Sequence, residues 1–270
     1  MKFNLRKVFI ISILVLCIIA INLAVFFKIT ETSYNKNGAE ELIIDTAILT
    51  ETFNQIFDNQ INYQNNIINV SKTNNAKELV YTSYNNQEEI NNQYMLNVNI
   101  PNLNINNENA EKINEEINSL FYKKAINVLA KTEKYTIYNV KYKAYVNDNI
   151  LSLVIMATLK EGEKPQREII KTYNYNLTSN RDLNLREVLQ YRQLPKEKVQ
   201  NKIYEIIKTA SENAKIYNEL GYNKFLRNIN DSIYKIENTT VFFIGEGKAL
   251  YILYPYGNSN YTSETDLLVI

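Results

Sequence analysis

The sequence predicts an α+β domain, an antiparallel sheet with helices packed on it, carried behind one N-terminal transmembrane helix. Three observations predict it. An apolar run without a single charge fills Val8–Phe27. Segments of alternating apolar and polar residues, as at Tyr94, Leu96, Val98 and Ile100, mark half-buried strands. Between them lie stretches whose apolar residues recur every three or four positions, the helical period. The resulting order is strand, helix, meander, helices, hairpin and last strand, which groups the helices on an antiparallel sheet.

The apolar run reads VFIISILVLCIIAINLAVFF, with only Ser12 and Asn22 strongly polar. Its length is about that of a helix spanning a hydrocarbon core. Lys2, Arg6 and Lys7 precede it. The positive end stays in the cytoplasm, so the remainder of the chain is expected outside the membrane. The run is long for a signal peptide, no Ala-x-Ala follows it, and bulky Leu16 stands before Cys17 where a lipoprotein needs a small residue. These features favour an uncleaved signal anchor. The expected organisation is a cytoplasmic tail over 1–7, the anchor over 8–27, a linker or stalk with a helix over 28–92, and an extracytoplasmic domain over 93–270.

Composition narrows the chemistry. The 270 residues carry a net charge of +1 and no histidine. No bulk field draws in nucleic acid. The commonest general base and zinc ligand is missing, which excludes a Ser–His–Asp triad, a Cys–His dyad and a histidine metal site. Cys17, the sole cysteine, lies in the anchor, so the exterior domain has neither disulfide nor thiol chemistry. No enzyme activity, cofactor or metal is expected.

Along the chain, Ala39–Asn62 fits a helix through Leu49, Phe53, Phe57 and Ile61, and Leu79–Tyr84 a short strand. The Tyr94–Ile100 strand is ended by Pro101. Asn106 and Asn107 can cap the next helix, with Glu108 and Glu111 in its first turn where the helix dipole favours acid. Its apolar face is Ile113, Ile117, Phe121, Ala125, Val128 and Leu129. A three-stranded meander follows. Tyr138, Val140, Tyr142, Ala144 and Val146 share a face, then Leu151, Leu153, Ile155, Ala157 and Leu159, and Glu168–Leu177 returns. Val154 and Met156 make the other side of the middle strand apolar too, as in a central strand. Leu183–Gln190 reads as a short helix. Pro195 opens a longer one through Val199, Ile203, Ile206, Ile207, Ala210 and Ala214, broken at Gly221. Val241–Tyr254 is a hairpin around Gly245–Lys248, and Thr265–Ile270 a last strand paired inside the sheet.

The leading site candidate is Tyr254-Pro255-Tyr256-Gly257-Asn258, read as a loop and continued by Asn260 and Tyr261. Loop aromatics stack on sugars or fill a partner's pocket. Tyr254, Tyr256, Asn258, Asn260 and Tyr261 are therefore the expected partner-binding residues. Against this stands a structural role, in which Pro255 and Gly257 shape a strand exit and the tyrosines cover core. The carboxylates Asp148, Glu161, Glu163, Glu246, Glu264 and Asp266 fall in or near turns. They match no calcium-loop spacing, and solvated turns account for them. Lys131, Lys134, Lys141 and Lys143 form a basic cluster that fits a solvated face.

At its C-terminal end the chain resembles a known family. Ala249–Ile270, ALYILYPYGNSNYTSETDLLVI, resembles the end of the extracytoplasmic domain of the anti-sigma-V factor RsiV, a domain also found before the catalytic domain of some peptidoglycan deacetylases. Tyr94–Leu103 (YMLNVNIPNL), Leu151–Lys160 (LSLVIMATLK) and Tyr173–Leu189 (YNYNLTSNRDLNLREVL) agree with the same pattern. The last departs from the usual Thr-Gly turn at Thr178-Ser179-Asn180. The resemblance covers about Gln93–Ile270. It implies a domain facing the cell wall that binds lysozyme, with release of a sigma factor as its output. The seven residues before the anchor are expected to be too few to hold a sigma factor, and no deacetylase domain is expected after Ile270. The chain thus reads as a non-catalytic, membrane-anchored recognition or sensor domain whose partner is a protein such as lysozyme. The alternative is a cell-wall carbohydrate-binding module, specific for peptidoglycan, that works with separate wall enzymes.

Overall fold

The computed structural model describes residues 46–64, 69–130, 133–258 and 261–270. The Val8–Phe27 run lies outside the described residues, and among those described no helix is long and apolar enough to cross a membrane. The compact unit starts at Thr46, not at Gln93. The expected helix over Ala39–Asn62 is observed as the shorter α1 (Thr46–Gln55), and 39–45 lie outside the described residues.

Two sheets organise the unit where one was expected. The larger has seven strands: β1 (Ile61–Gln64), β2 (Val80–Ile90), β3 (Tyr94–Leu103), β4 (Thr136–Asn147), β5 (Ile150–Glu161), β6 (Arg167–Asn176) and β7 (Arg181–Asp182). The meander β4–β5–β6 is antiparallel, and β5 is central as its two apolar faces require. β3 and β4 instead run parallel, joined through α2 (Glu108–Ile117), a π-turn at Asn118–Tyr122 and α3 (Lys123–Ala130). A helical crossover of that length is what a parallel pair needs. β1 also pairs parallel with β4.

Pro101 does not end β3, which continues to Leu103. β4 pairs with β3 only through Val98, and the β2 partner shifts register between Thr82 and Tyr84. A proline lacking its N–H is tolerated at such an edge and bulge. Asn107 caps α2 through the Asn109 amide. The four-residue steps Ile113, Ile117, Phe121 and Ala125 each over-rotate an ideal α-helix by about 40°. The π-turn unwinds that drift, and all four side chains are buried.

After β7 come α4 (Leu185–Tyr191) and α5 (Lys196–Glu219). Asn184 and Glu187 form a complete capping box on α4. The last three strands make a separate antiparallel sheet in the order β10–β9–β8: β8 (Phe242–Ile244), β9 (Leu250–Asn258) and β10 (Tyr261–Val269). The last strand is thus an edge, and β9 is the centre.

The core is layered. α2 and α3 cover one face of the large sheet over Val140, Tyr142, Leu153 and Ile155. On its other face Tyr145, Val154 and Ile170 meet Phe243, Leu253 and Leu267 of the small sheet, with Phe53 and Phe57 inserted from the α1 region. The far side of the small sheet, Ile252, Tyr254 and Tyr256, packs on α4 and α5 through Val188, Val199, Ile203 and Ile207. β8 is a sheet edge whose unpaired backbone is satisfied by side chains of the large sheet. Thr172 accepts from the Phe242 amide at 3.0 Å, Ser152 accepts from the Ile244 amide at 3.1 Å, and Asn174 donates to the Phe242 carbonyl at 2.7 Å. This polar seam joins the two sheets and leaves that edge no room for another strand.

Candidate functional site

Four of the five partner-binding candidates fall on two strands, Tyr254, Tyr256 and Asn258 on β9 and Tyr261 on β10. Tyr254 and Tyr256 lie within β9, not in a loop, and each is only 7% exposed. The Tyr254 hydroxyl is 2.8 Å from Thr239 Oγ1, and its ring meets Tyr234 edge-on at 5.1 Å. The Tyr256 hydroxyl donates to the Tyr234 hydroxyl at 2.9 Å, and its ring stacks on Phe225 at 4.7 Å. Burial raises the Tyr254 hydroxyl to about 12. It raises that of Tyr256 further, with the Asp266 charge adding to it. Both side chains are thus engaged within the core, the structural role weighed against the site. The reason is strand alternation: Leu250, Ile252, Tyr254 and Tyr256 occupy one face of β9 and share one core cluster with α4, α5 and Tyr234. Asn260 lies outside the described residues, as do the side chains of Asn258 and Tyr261. Gly257 is needed sterically, since a Cβ there would collide with the Ser263 side chain and come within 3.2 Å of its Cα.

Arg227 locks the chain after α5 onto β10. Its guanidinium is 6% exposed and binds Asp266 in a fork at 3.1 and 2.9 Å, with Glu264 at 2.9 Å and the Tyr256 ring 4.9 Å below. Desolvation raises the Asp266 carboxyl, and the Arg227 charge opposes that rise. Nothing in the sequence pattern marks this pair beyond the two acids noted near the last strand.

Of the other turn carboxylates, Glu163 and Glu246 are exposed and Asp148 and Glu161 pair with cations. Asp148 binds Lys248 at 2.8 Å, and Glu161 binds both Lys124 at 2.8 Å and Arg167 at 2.6 Å. Of the basic cluster, Lys143 is largely buried and bound to Asp58 at 2.7 Å, so it is not part of a solvated face. Lys141 is exposed, Lys134 packs beside Gly162, and Lys131 lies outside the described residues. Among the described residues no three potential ligands gather to hold a metal.

A cleft of about 260 Å³ opens elsewhere, where the β4–β5 turn, the end of α4 and the turn after β8 meet. Asn147, Asp148, Tyr191, Arg192, Ile244 and Lys248 line it. Asp148 was expected in a turn, but the cleft leaves no local trace in the sequence, because Arg192 and Lys248 come to it from distant segments.

Solved structures similar to the chain include two DUF3298 family proteins. One, from Pseudomonas aeruginosa, aligns over 69% of this chain and 85% of its own, at 15% identity and a TM-score of 0.39. Another, from Bacteroides fragilis, aligns over 64% and 80%, at 12% identity and a TM-score of 0.35. No family model and no curated protein matches the chain.

Proposed function

We propose that the chain is a membrane-anchored extracytoplasmic recognition domain of the RsiV type, facing the cell wall and binding a protein such as lysozyme without acting on it chemically. The observation that carries this reading is the uncharged Val8–Phe27 run with Lys2, Arg6 and Lys7 before it, a charge bias that directs the C-terminal side of such a run to the outside. The resemblance of Ala249–Ile270 to RsiV supports the partner. The absence of histidine supports a non-catalytic role, as does the commitment of Asp148, Glu161, Glu264 and Asp266 to cations. The connection between β9 and β10, with Asn258, Asn260 and Tyr261, is the proposed contact, and Tyr254 and Tyr256 brace it from behind.

The test is a pull-down of the full chain in detergent with immobilised lysozyme and, separately, with purified peptidoglycan. Retention on lysozyme is expected. Retention on peptidoglycan alone turns the reading to a carbohydrate-binding module, and retention on neither removes both. A C-terminal reporter active only in the cytoplasm should stay silent, and a strong signal would reverse the topology.

A further inference from the structure

β2 carries an open sheet edge. The other edges are short or occupied. β1 has four residues and β7 two. β8 is satisfied by Thr172 and Ser152, and the chain at Phe225 and Arg227 is bound to the β10 side chains of Glu264 and Asp266. β2 has eleven residues and pairs with β3 on one side. Among the described residues it has no strand on the other. It contains neither the lysine nor the proline that commonly guards such an edge.

Which backbone groups face outward follows from β3. The Thr136 amide donates to the Gln93 carbonyl at 3.0 Å, so Gln93 turns its backbone towards β4. Alternation then turns Tyr94, Leu96 and Val98 towards β2. Their partners Ile90, Glu88 and Asn86 spend their amides and carbonyls on β3. Asn85, Gln87 and Glu89 therefore point theirs away from the sheet, and all three residues are exposed. Among the described residues these three amides and three carbonyls have no backbone partner. The run is bounded on both sides. The register shift between Thr82 and Tyr84 ends it on one side. On the other, the turn at 91–93 is closed by the Gln93 amide on the Ile90 carbonyl. Gln87 is the midpoint of the run 84–90.

We propose that two copies of the chain pair antiparallel along residues 84–90 of β2, about a two-fold axis through Gln87, and so join their large sheets. Asn85 then lies opposite Glu89 of the second copy, and Gln87 opposite Gln87. Each such pair exchanges two hydrogen bonds, which uses all the free backbone groups of both copies. On the adjoining positions Tyr84 meets Ile90 of the second copy, an aromatic against a β-branched side chain, and Ile90 is 38% exposed. The side chains specify this register. Glu88 and Glu89 are exposed and face Asn86 and Asn85 of the second copy, whose amides offer hydrogen to a carboxylate. Moving the axis to Glu88 sets Glu88 against Glu88, a like-charge pair. Moving it to Asn86 carries the pairing into the bulge at Ser83. An edge-to-edge contact buries little surface, at the low end of specific interfaces, so the dimer is weak and concentration-dependent. This inference does not rest on the lysozyme-binding reading.

The test is analytical sedimentation of the full chain in detergent over a dilution series, in which a monomer–dimer equilibrium is expected. Gln87→Pro removes the amide at the axis from both copies and should weaken the dimer about tenfold or more. Its melting temperature should stay near wild type, because that amide faces outward. Asn86→Pro, whose amide serves β3, should instead lower the melting temperature by several degrees. In a Cys17→Ser background, which leaves no other cysteine, Gln87→Cys should join into a dimer on mild oxidation. A hydrogen-bonded pair holds its Cα atoms about 5.5 Å apart, within disulfide reach. Asn85→Cys should not join, since it lies about 14 Å along the strand from its own copy. The two cysteine variants serve if Gln87→Pro fails to fold. A monomer at every concentration overturns the proposal. So does a dimer indifferent to a folded Gln87→Pro, as one held by the Val8–Phe27 run would be. An Asn86→Pro as stable as wild type, or equal joining of the two cysteine variants, overturns it as well.

Discussion

Replacing Phe53 with Ala tests whether the segment before Gln93 belongs to the domain. Phe53 is 2% exposed, lies edge-on to Phe57 at 5.2 Å and is 6.2 Å from Phe243. It fills the layer between the two sheets, against Tyr145, Val154, Leu253 and Leu267. Removing a buried ring forfeits about 2–3 kcal/mol of transfer free energy. The cavity adds to this, since sheets tied by the β8 seam cannot close over it, for a total of about 3–5 kcal/mol. Against a stability of roughly 5–15 kcal/mol for a domain, this is a large fraction. The assay is urea unfolding of the full chain, in which the midpoint should fall with an unchanged slope. Glu51→Ala, exposed on the same helix, should stay within about 0.5 kcal/mol of wild type. If Phe53→Ala also cost under about 1 kcal/mol, in the range of ordinary surface changes, α1 would be a stalk and the packing argument would be wrong. By the same reasoning a fragment starting at Gln93 should be insoluble, because it strips β2 from the whole length of β3.

Three further substitutions probe the geometry. Arg227→Met should cost about 3–5 kcal/mol, since it strands the buried Asp266 beside the partly buried Glu264; a loss confined to a few tenths in urea unfolding would refute the lock. Tyr256→Ala should lower the melting temperature while leaving lysozyme affinity of the folded fraction intact, and lost affinity at full stability would make the ring a contact. The Asn184 amide and Arg181 hold the Glu187 carboxyl below its ordinary 4.5, so its contribution is present above that value and lost as pH falls through the lowered one. Glu187→Gln keeps the capping hydrogen bonds, so its stability gap from wild type should close on acidification, and a gap independent of pH would contradict the assignment.

The elements with strong periodicity were legible. The meander strands, the α2 face and the Pro195 start of α5 appear where alternation, four-residue spacing and capping place them. What was not legible is pairing between distant segments. The parallel β3–β4 pair and the parallel β1–β4 pair leave no local trace, because register depends on partners far along the chain. Nor does any local pattern say that Val80–Ile90, rich in Asn and Glu, forms a long edge strand; its outer half is exposed and needs no apolar alternation.

The loop expected over Tyr254–Asn258 is a strand for a related reason. A Pro, a Gly and several Tyr in nine residues look like a binding loop. In the structure the same residues obey the two-residue period of a central strand, and Gly257 serves the approach of Ser263. Aromatic content alone does not separate the two cases, because a ring that anchors a partner and a ring that anchors a sheet bury the same surface. Hydrogen-bond accounting does separate them. Tyr254 and Tyr256 have spent their hydroxyls on Thr239 and Tyr234. A tyrosine whose ring and hydroxyl are both engaged inside the fold braces its strand, so any partner contact on this hairpin falls to the connection beyond Tyr256.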